Sequence, residues 1–323
     1  MTDFRTSLPL SGGALDRCDE RRMDRVWLRA QWANARLYLL DVDGRMLARE
    51  DREAPLLADA SRLAADWRPD ADDAIFLGLD KERQAHFAVQ LPGDVDLRVP
   101  AVGIREAAAM WPAAESARFA HAAALFGWRR RHRYCPQCAA PLSPRRAGNS
   151  LACEAGNGCS EQFPRTDAAV IVIVVHQGKC LLGRQASWPE GSYSALAGFV
   201  EPGESLEEAV AREVREESGV RIGEALYRGS QPWPFPHSMM IGFHAVADDP
   251  QVTLGDELED ARWFGADDLA DGYAAGSLRA PAAISIAHRL LHDWLAAQPG
   301  EAAARALALL PDAARPGVRR ASD

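Results

Sequence analysis

Residues 198–220, GFVEPGESLEEAVAREVREESGV, constrain this chain more than any other stretch. Seven of the 23 residues are glutamates. Ser205 followed by Glu208 is the S-x-x-E of a capping box, so the spacing predicts a helix beginning at Ser205. Gly219 suits the left-handed residue after a helix and predicts its end. Leu206, Val210 and Val214 recur at four-residue steps and give that helix one buried stripe. Glu213, Glu216 and Glu217 stand at i, i+3 and i+4, which puts three carboxylates on one face. Like charges at those spacings repel, and the last turns of a helix are where the macrodipole disfavours negative charge. Acids in the first turn have an ordinary explanation; these three do not. Two readings follow. One is a solvated acidic face partly neutralised by Arg212 and Arg215. The other is an oxygen-ligand site for a hard cation such as Mg²⁺ or Mn²⁺.

The rest of the composition is that of a water-soluble globular protein, with 47% apolar and 26% charged residues over 323 positions. That length allows two modest domains and a small module. No run approaches 18 apolar residues, so no transmembrane helix is expected. The N-terminal stretch MTDFRTSLPLSGGALDRCDERRMD lacks the apolar core of a signal peptide and predicts a cytoplasmic protein. A net charge of −9 argues against a chain that binds polyanions over its whole surface.

Of the six cysteines, Cys135, Cys138, Cys153 and Cys159 cluster among Gly, Pro and Asn. In a cytosolic chain that pattern points to metal, and two cysteine pairs suit a tetrahedral structural Zn²⁺ of the zinc-ribbon type. The first pair has the usual C-x2-C knuckle spacing. The second, C-x5-C, is wider, with Gly156, Asn157 and Gly158 able to fold the longer turn. Cys18 and Cys180 remain, Cys180 as a small hydrophobe in a buried strand.

Around these features the chain reads as α+β. In the first region, strands are expected at 26–28, 36–40, 74–79 and 86–89, with a turn at Asp43-Gly44. Helices are expected at 56–67, 106–111 and 114–129. The basic run WRRRHRYC at 128–135 reads as a solvated helix end or as a face for a polyanion. Beyond the cysteines, 168–175 is a buried strand that returns through Gly178-Lys179 at 180–185. Strands follow at 225–228 and 238–247, then a helix at 285–296 and a fraying tail at 299–323. Between the late strands lies SQPWPFPHS, residues 230–238. Its three closely spaced prolines exclude helix and predict an extended, pre-stiffened segment presenting Trp233 and Phe235.

Gly198, five residues, Glu204, seven residues, then Arg212-Glu213-Val214-Arg215-Glu216-Glu217-Ser218-Gly219-Val220 resembles the Nudix box, G-x5-E-x7-R-E-U-x-E-E-x-G-U with U aliphatic. Every specified position matches. SQPWPFPHS resembles the SQPWPFPxS signature of the NADH pyrophosphatase subfamily, which also includes NAD-capped RNA hydrolases. LDRCDERR near the start and Gly103-Ile104-Arg105 resemble that subfamily's N-terminal domain.

The resemblance implies an N-terminal α+β domain over 1–130 and a zinc ribbon over 131–164. A Nudix α/β/α sandwich with a mixed sheet would follow over 165–298. It implies a homodimer that hydrolyses the pyrophosphate of NADH or NAD⁺ to nicotinamide mononucleotide and AMP. NAD-capped RNA and another dinucleotide such as ADP-ribose are the alternative substrates, and a sensor without activity is the non-enzymatic one. Glu213, Glu216, Glu217 and Glu257 would be the Mg²⁺ or Mn²⁺ ligands, with Glu259 the alternative to Glu257. Glu217, with Glu216, would be the catalytic carboxylate. Arg212 would hold Glu204 and the loop. Substrate contacts would fall to Arg105, Phe163, Ala197, Phe199, Ala287 and the segment Gln231, Pro232, Trp233, Pro234, Phe235, Pro236, His237 and Ser238.

Overall fold

The computed structural model describes residues 8–59, 74–93, 99–156 and 158–311. Its contacts divide the chain into two units. One comprises Leu10–Thr166 with Pro234–His237. The other comprises Met1–Pro9, Asp167–Trp233 and Ser238–Asp323.

The first unit is built on a sheet of β1 (Arg36–Leu40), β2 (Met46–Leu47), β3 (Leu57–Asp59), β4 (Ile75–Leu79), β5 (Ala85–Gln90) and β6 (Ala101–Val102). The order is β4-β5-β1-β2-β6, with β3 also on β1. Alternate residues of β1 serve opposite faces, as a two-residue period requires. Leu37 and Leu39 pack with Phe76, Phe87 and Val89 on one face. Tyr38 and Leu40 pack with Ile75, Leu77, Phe119 and Phe126 on the other. That second face is covered by α2 (Ile104–Met110) and α3 (Ala113–Arg131).

Two expectations fail in this unit. Residues 26–28, read as a strand, lie in helix α1 (Arg25–Trp32), because the Asp24 side chain accepts a hydrogen bond from the Trp27 N–H and caps it. Val26 is left 83% exposed while Leu28 is buried, a helical rather than an alternating pattern. The helix read at 56–67 fails over Leu57–Asp59, which pair antiparallel with β1; residues 60–67 lie outside the described residues.

The cysteine region is a hairpin of β7 (Leu142–Arg145) and β8 (Ser150–Cys153), paired antiparallel. It is joined to the sheet through Asn149. The buried Asn149 amide donates to the backbone oxygens of Phe76, Arg146 and Ala147. Arg146, Ala147 and Gly148 all adopt positive φ, at 48°, 48° and 82°. A β-carbon at Gly148 would sit 2.9 Å from Ile75 Cγ1, so the turn admits only glycine there.

The second unit contains β9 (Asp167–His176), β10 (Lys179–Arg184), β11 (Leu196–Phe199), β12 (Arg221–Trp233), β13 (Ser238–Asp249) and β14 (Asp260–Phe264). The order is β12-β13-β9-β10-β14, with β11 on β9 and β13 parallel to β9. Val170, Val172 and Val174 face α4 (Leu206–Ser218), packing against Val210 and Val214. Ile171 and Ile173 face α6 (Ile286–Ala296), and α5 (Ala266–Ala275) packs on the same core. The buried strand is thus apolar on both faces because helices cover both, giving the expected three-layer sandwich.

Residues 301–309, expected within a fraying tail, form α7 (Glu301–Leu309). Ala303 and Ala306 are buried and the helix packs against α5 and α6. Its small apolar side chains give a weak sequence signal, yet they let the helix approach closely. The segment read as extended at 230–238 is a hairpin. Ser230–Trp233 complete β12, and Pro234–His237 form the turn into β13, with a cis Phe235–Pro236 bond.

Asn149→Ala removes three donations to backbone oxygens, one of them buried. It is expected to cost about 1–3 kcal/mol, read as a lower urea midpoint. An unchanged midpoint would show that Asn149 does not hold the ribbon turn.

Candidate active site and thiol cluster

The capping box is present as expected. Ser205 accepts from the Glu208 N–H, and the Glu208 carboxylate accepts from the Ser205 N–H. Gly219 ends α4 at φ 72°. The end of the helix is capped from outside: the Thr253 N–H donates to Ser218 O and the Gly255 N–H to Glu217 O. This brings the loop that carries Glu257 to the last turn of α4. A β-carbon at Gly255 would lie 2.1 Å from Glu216 O, so the approach needs glycine.

Arg212 is the hub of the loop–helix element. Its Nε and Nη2 donate to the two oxygens of Glu204 at 2.6 and 2.9 Å. Its Nη1 lies 2.9 Å from Glu213 and 3.1 Å from Glu216, and Nη2 also donates to Phe199 O at 2.8 Å. This is the holding role expected of Arg212. The Glu204 carboxyl falls to about 2, through Arg212 first and the Glu201 N–H second.

The three late glutamates, expected on one face, have three different environments. Glu216 keeps its side chain 61% exposed. Glu213 is tucked against β11: a β-carbon at Gly198 would fall 1.9 Å from its Cδ. Glu217 is 5% exposed, and its Oε2 has no hydrogen-bond partner. Burial raises the Glu217 carboxyl to about 8, with Glu213 and then Glu257 adding to the rise and the Ala197 backbone opposing it. A protein-only environment therefore leaves this group unsatisfied. An oxygen-ligand set with an orphaned buried carboxylate and two further acids in its field fits a hard divalent cation. Glu257 belongs to that field, whereas Glu259 is paired with Arg184. Arg184 also donates to Trp188 O. Sequence reading passed over Arg184; its position beside Gly183 at a strand end was the available signal.

The aromatic and pocket residues separate by exposure. Phe199 is 58% exposed next to the Glu213 cradle. Trp233 and Pro232 are half-buried at the end of β12. Gln231 is fully buried, with its amide donating to Pro9 O and Ile284 O and accepting from the Ile286 N–H. These hydrogen bonds brace the hairpin. Ser238 is also buried. Ala287 is 3% exposed because α6 turns its side chain into the core. Within the other unit, the Arg105 guanidinium lies 3.9 Å over the Phe235 ring, a cation–π contact. Phe163 is exposed, with Arg146 5.9 Å from its ring centre.

Cys135, Cys138, Cys153 and Cys159 converge. Their sulfurs all lie within 4.8 Å of one another. Cys138 Sγ is 3.4 Å from Cys153 and 3.6 Å from Cys159. Metal–sulfur bonds of about 2.3 Å in a tetrahedron give edges near ~3.8 Å, so the four thiols could hold one ion with little movement. Backbone N–H groups of Gln137 and Cys138 pull the Cys135 thiol down, while Cys138 pushes Cys159 up. Four thiolates without a cation are not mutually compatible.

A mixed sheet with an acidic, capped loop–helix–loop element at one strand end defines a Nudix-type hydrolase. Residues 164–283 match the NUDIX domain, and residues 34–128 match the NADH pyrophosphatase-like rudimentary NUDIX domain. The NAD-capped RNA hydrolase NudC of Mycobacterium bovis (strain BCG / Pasteur 1173P2) is 38% identical over 309 residues, spanning 90% of this chain and 96% of the relative. The Homo sapiens NAD-capped RNA hydrolase NUDT12 is 39% identical over 197 residues, 57% of this chain and 43% of that protein. A solved NUDIX hydrolase from Nitrosomonas europaea is 22% identical, with a TM-score of 0.40, over 49% of this chain and 88% of that one. The chain belongs to the Nudix hydrolases, in their NADH pyrophosphatase subfamily.

Gly198→Ala is expected to displace the Glu213 carboxylate and lower kcat by about 10²-fold, as ångström-scale misplacement does. Circular dichroism should stay unchanged; wild-type turnover would contradict the cradle. Glu204 has a depressed native pKa, so its stabilisation is full above the usual carboxyl range and is lost as pH falls from about 4.5 towards about 2. Urea midpoints of wild type and Glu204→Gln should therefore converge over that window and differ at pH 7. Parallel curves would remove the assignment.

Proposed function

We propose that this protein is a metal-dependent NAD(H) diphosphatase that hydrolyses the central pyrophosphate of NADH or NAD⁺ to nicotinamide mononucleotide and AMP. The buried carboxylate of Glu217, set among acids and with no hydrogen-bond partner at Oε2, carries this reading. Water is a weak nucleophile at neutral pH and pyrophosphate is anionic. Bound Mg²⁺ or Mn²⁺ supplies charge neutralisation and a more acidic water. Glu213, Glu216, Glu217 and Glu257 are the residues we assign to hold it. Glu217 is the carboxylate we assign to accept the proton from the attacking water, because it is buried beside Glu213 and Glu257 with its Oε2 not engaged by any protein donor. Arg212 positions Glu204, Glu213 and Glu216 without meeting substrate.

Specificity is assigned to the aromatic surfaces. Phe199 has the exposure needed to stack on a base, and Trp233 lies at the end of the strand that Gln231 anchors. Arg105 and Phe235 form a stacked pair of the kind that takes a further planar or anionic group. The four cysteines are assigned a structural Zn²⁺, since four thiolates leave no open coordination position. A homodimer in the cytoplasm completes the reading. The resemblance to the subfamily supports the dimer, and the N-terminal composition supports the cytoplasm.

A second substrate has specific support. The Mycobacterium bovis and Homo sapiens relatives are named NAD-capped RNA hydrolases, and the bond cut is the same. Among the described residues no helix is long and apolar enough to cross a membrane.

Glu217→Gln is expected to lower kcat for NADH by about 10²–10⁴-fold with a smaller change in KM. Release of AMP and nicotinamide mononucleotide from NADH, NAD⁺, ADP-ribose and NAD-capped RNA ranks the substrates. Undiminished turnover by the variant would refute the mechanism. Preference for ADP-ribose would refute the substrate.

A further inference from the structure

Glu257 is the member of the acid set that α4 does not carry, and the chain on either side of it is fastened at three points. Before it, the Gly255 N–H donates to Glu217 O at 3.1 Å. Next to it, Leu258 is 8% exposed and shares a core with Leu196 and Val214. A β-carbon at Gly183 would fall 2.7 Å from Leu258 Cδ1 and 2.9 Å from Leu196 Cδ2. Leu258 thus enters the space that a side chain at 183 would fill. After it, the Glu259 N–H donates to Arg184 O at 3.0 Å, which extends the ladder of β10 and β14 where Arg184 faces Asp260.

The Arg184 side chain adds a second fastening at the same place. Its Nη1 pairs with the Glu259 carboxylate, and its Nη2 donates to Trp188 O at 3.1 Å. The side chain is 14% exposed, and its Nε is buried without a hydrogen-bond partner. An unsatisfied buried donor is destabilising, so packing alone would not select arginine here. One guanidinium therefore joins β10, the loop that follows it and the segment carrying Glu257.

The neighbouring acids are all engaged except Glu257. Glu259 is taken by Arg184, and Asp260 by the Tyr193 hydroxyl and Arg262 Nε. Glu257 is exposed and, among the described residues, forms no ion pair. The Glu213 and Glu217 carboxyls both lie in its field. A hard divalent cation such as Mg²⁺ demands near-ideal ligand geometry, so an acid from outside α4 has to be fixed independently of that helix. Groups behind a ligand do this work, and losing one typically weakens metal affinity by about 10–100-fold.

We propose that Arg184 is a positioning residue, which acts through Glu259 and the buried Leu258 to hold Glu257 in the metal-ligand set. The proposal rests on the reading of Glu257 as a metal ligand. Arg184 meets neither metal nor substrate in this role. Charge alone predicts the opposite effect. Removing a cation beside a cluster of acids, and releasing Glu259 from its pair, would both strengthen cation binding. Weaker binding after loss of Arg184 therefore reports position rather than charge.

The test measures Mn²⁺ binding to the full-length protein without substrate, by electron paramagnetic resonance of the free ion. Arg184→Gln is expected to weaken Mn²⁺ binding at least tenfold, with the circular dichroism of wild type. Arg184→Lys keeps the charge but not the fork, and is expected to weaken binding in the same direction by less. It decides the matter should Arg184→Gln not fold. Added to Glu257→Gln, the Arg184→Gln change should weaken binding no further, because both act on one ligand. Wild-type or tighter Mn²⁺ binding by the folded Arg184 variants would overturn the proposal, tighter binding by showing that Arg184 withholds Glu259 as a ligand. Additive effects in the double variant, or no Mn²⁺ binding by wild type, would also overturn it. Failure of the diphosphatase reading would show instead as wild-type protein that binds Mn²⁺ without hydrolysing NADH.

Discussion

The bidentate pair between Arg212 and Glu204 is the interaction on which the candidate active site depends. Glu204 lies in the loop before α4 and Arg212 lies two turns into it, so the pair fixes the loop to the helix. The remaining Arg212 donors hold Glu213, Glu216 and the backbone of Phe199. One guanidinium therefore sets where two of the acids stand relative to β11. A lysine could not do this, because the arrangement needs several donors diverging from one plane. The cost of gathering acids is thereby moved to the one that Arg212 does not reach. That acid is Glu217, buried and without a partner at Oε2.

The same logic of charges placed against their own preference recurs elsewhere. Four thiols converge within 4.8 Å, where they cannot all ionise without a cation. In each case the fold gathers groups that repel, and the natural relief is a ligand of opposite charge. Packing supplies the means. The α4 face of the sheet is closed by Val210 and Val214, at about 1.5–3 kcal/mol for each buried valine. Asn149 ties the cysteine hairpin to the first sheet.

Legibility followed the range of the interaction. The α4 helix, its cap, its terminal glycine and the role of Arg212 were readable because all lie within a few turns of each other. Strands β1, β4, β5, β9 and β10 were readable from apolar runs. The misread elements had weak or competing local signals. Val26–Leu28 is apolar and strand-like, but Asp24 caps it into a helix. Leu57–Asp59 carry helix formers, yet β1 offers an edge to pair with. The Ala-rich stretch 301–309 resembles a tail until α5 and α6 give it a surface. The prolines of 230–238 read as extended, but a turn satisfies their geometry equally well.

By itself the sequence determined the class of the chain, since the spacing of Gly198, Glu204, Arg212, Glu213, Glu216 and Glu217 is a local property of one loop and one helix. It also determined that four cysteines form a metal-suited set, because their spacing and flanking turns are local too. Only the tertiary structure decided which acids are equivalent. Equal residues on one helical face became an exposed, a cradled and a buried carboxylate, because β11 and the loop at 252–258 cover that face unevenly. It paired Glu259 with Arg184 and set Glu257 in the field of Glu213 and Glu217. It also turned Gln231 and Ala287 inward. Burial and long-range pairing depend on what other segments place nearby, and no spacing within a single segment encodes that.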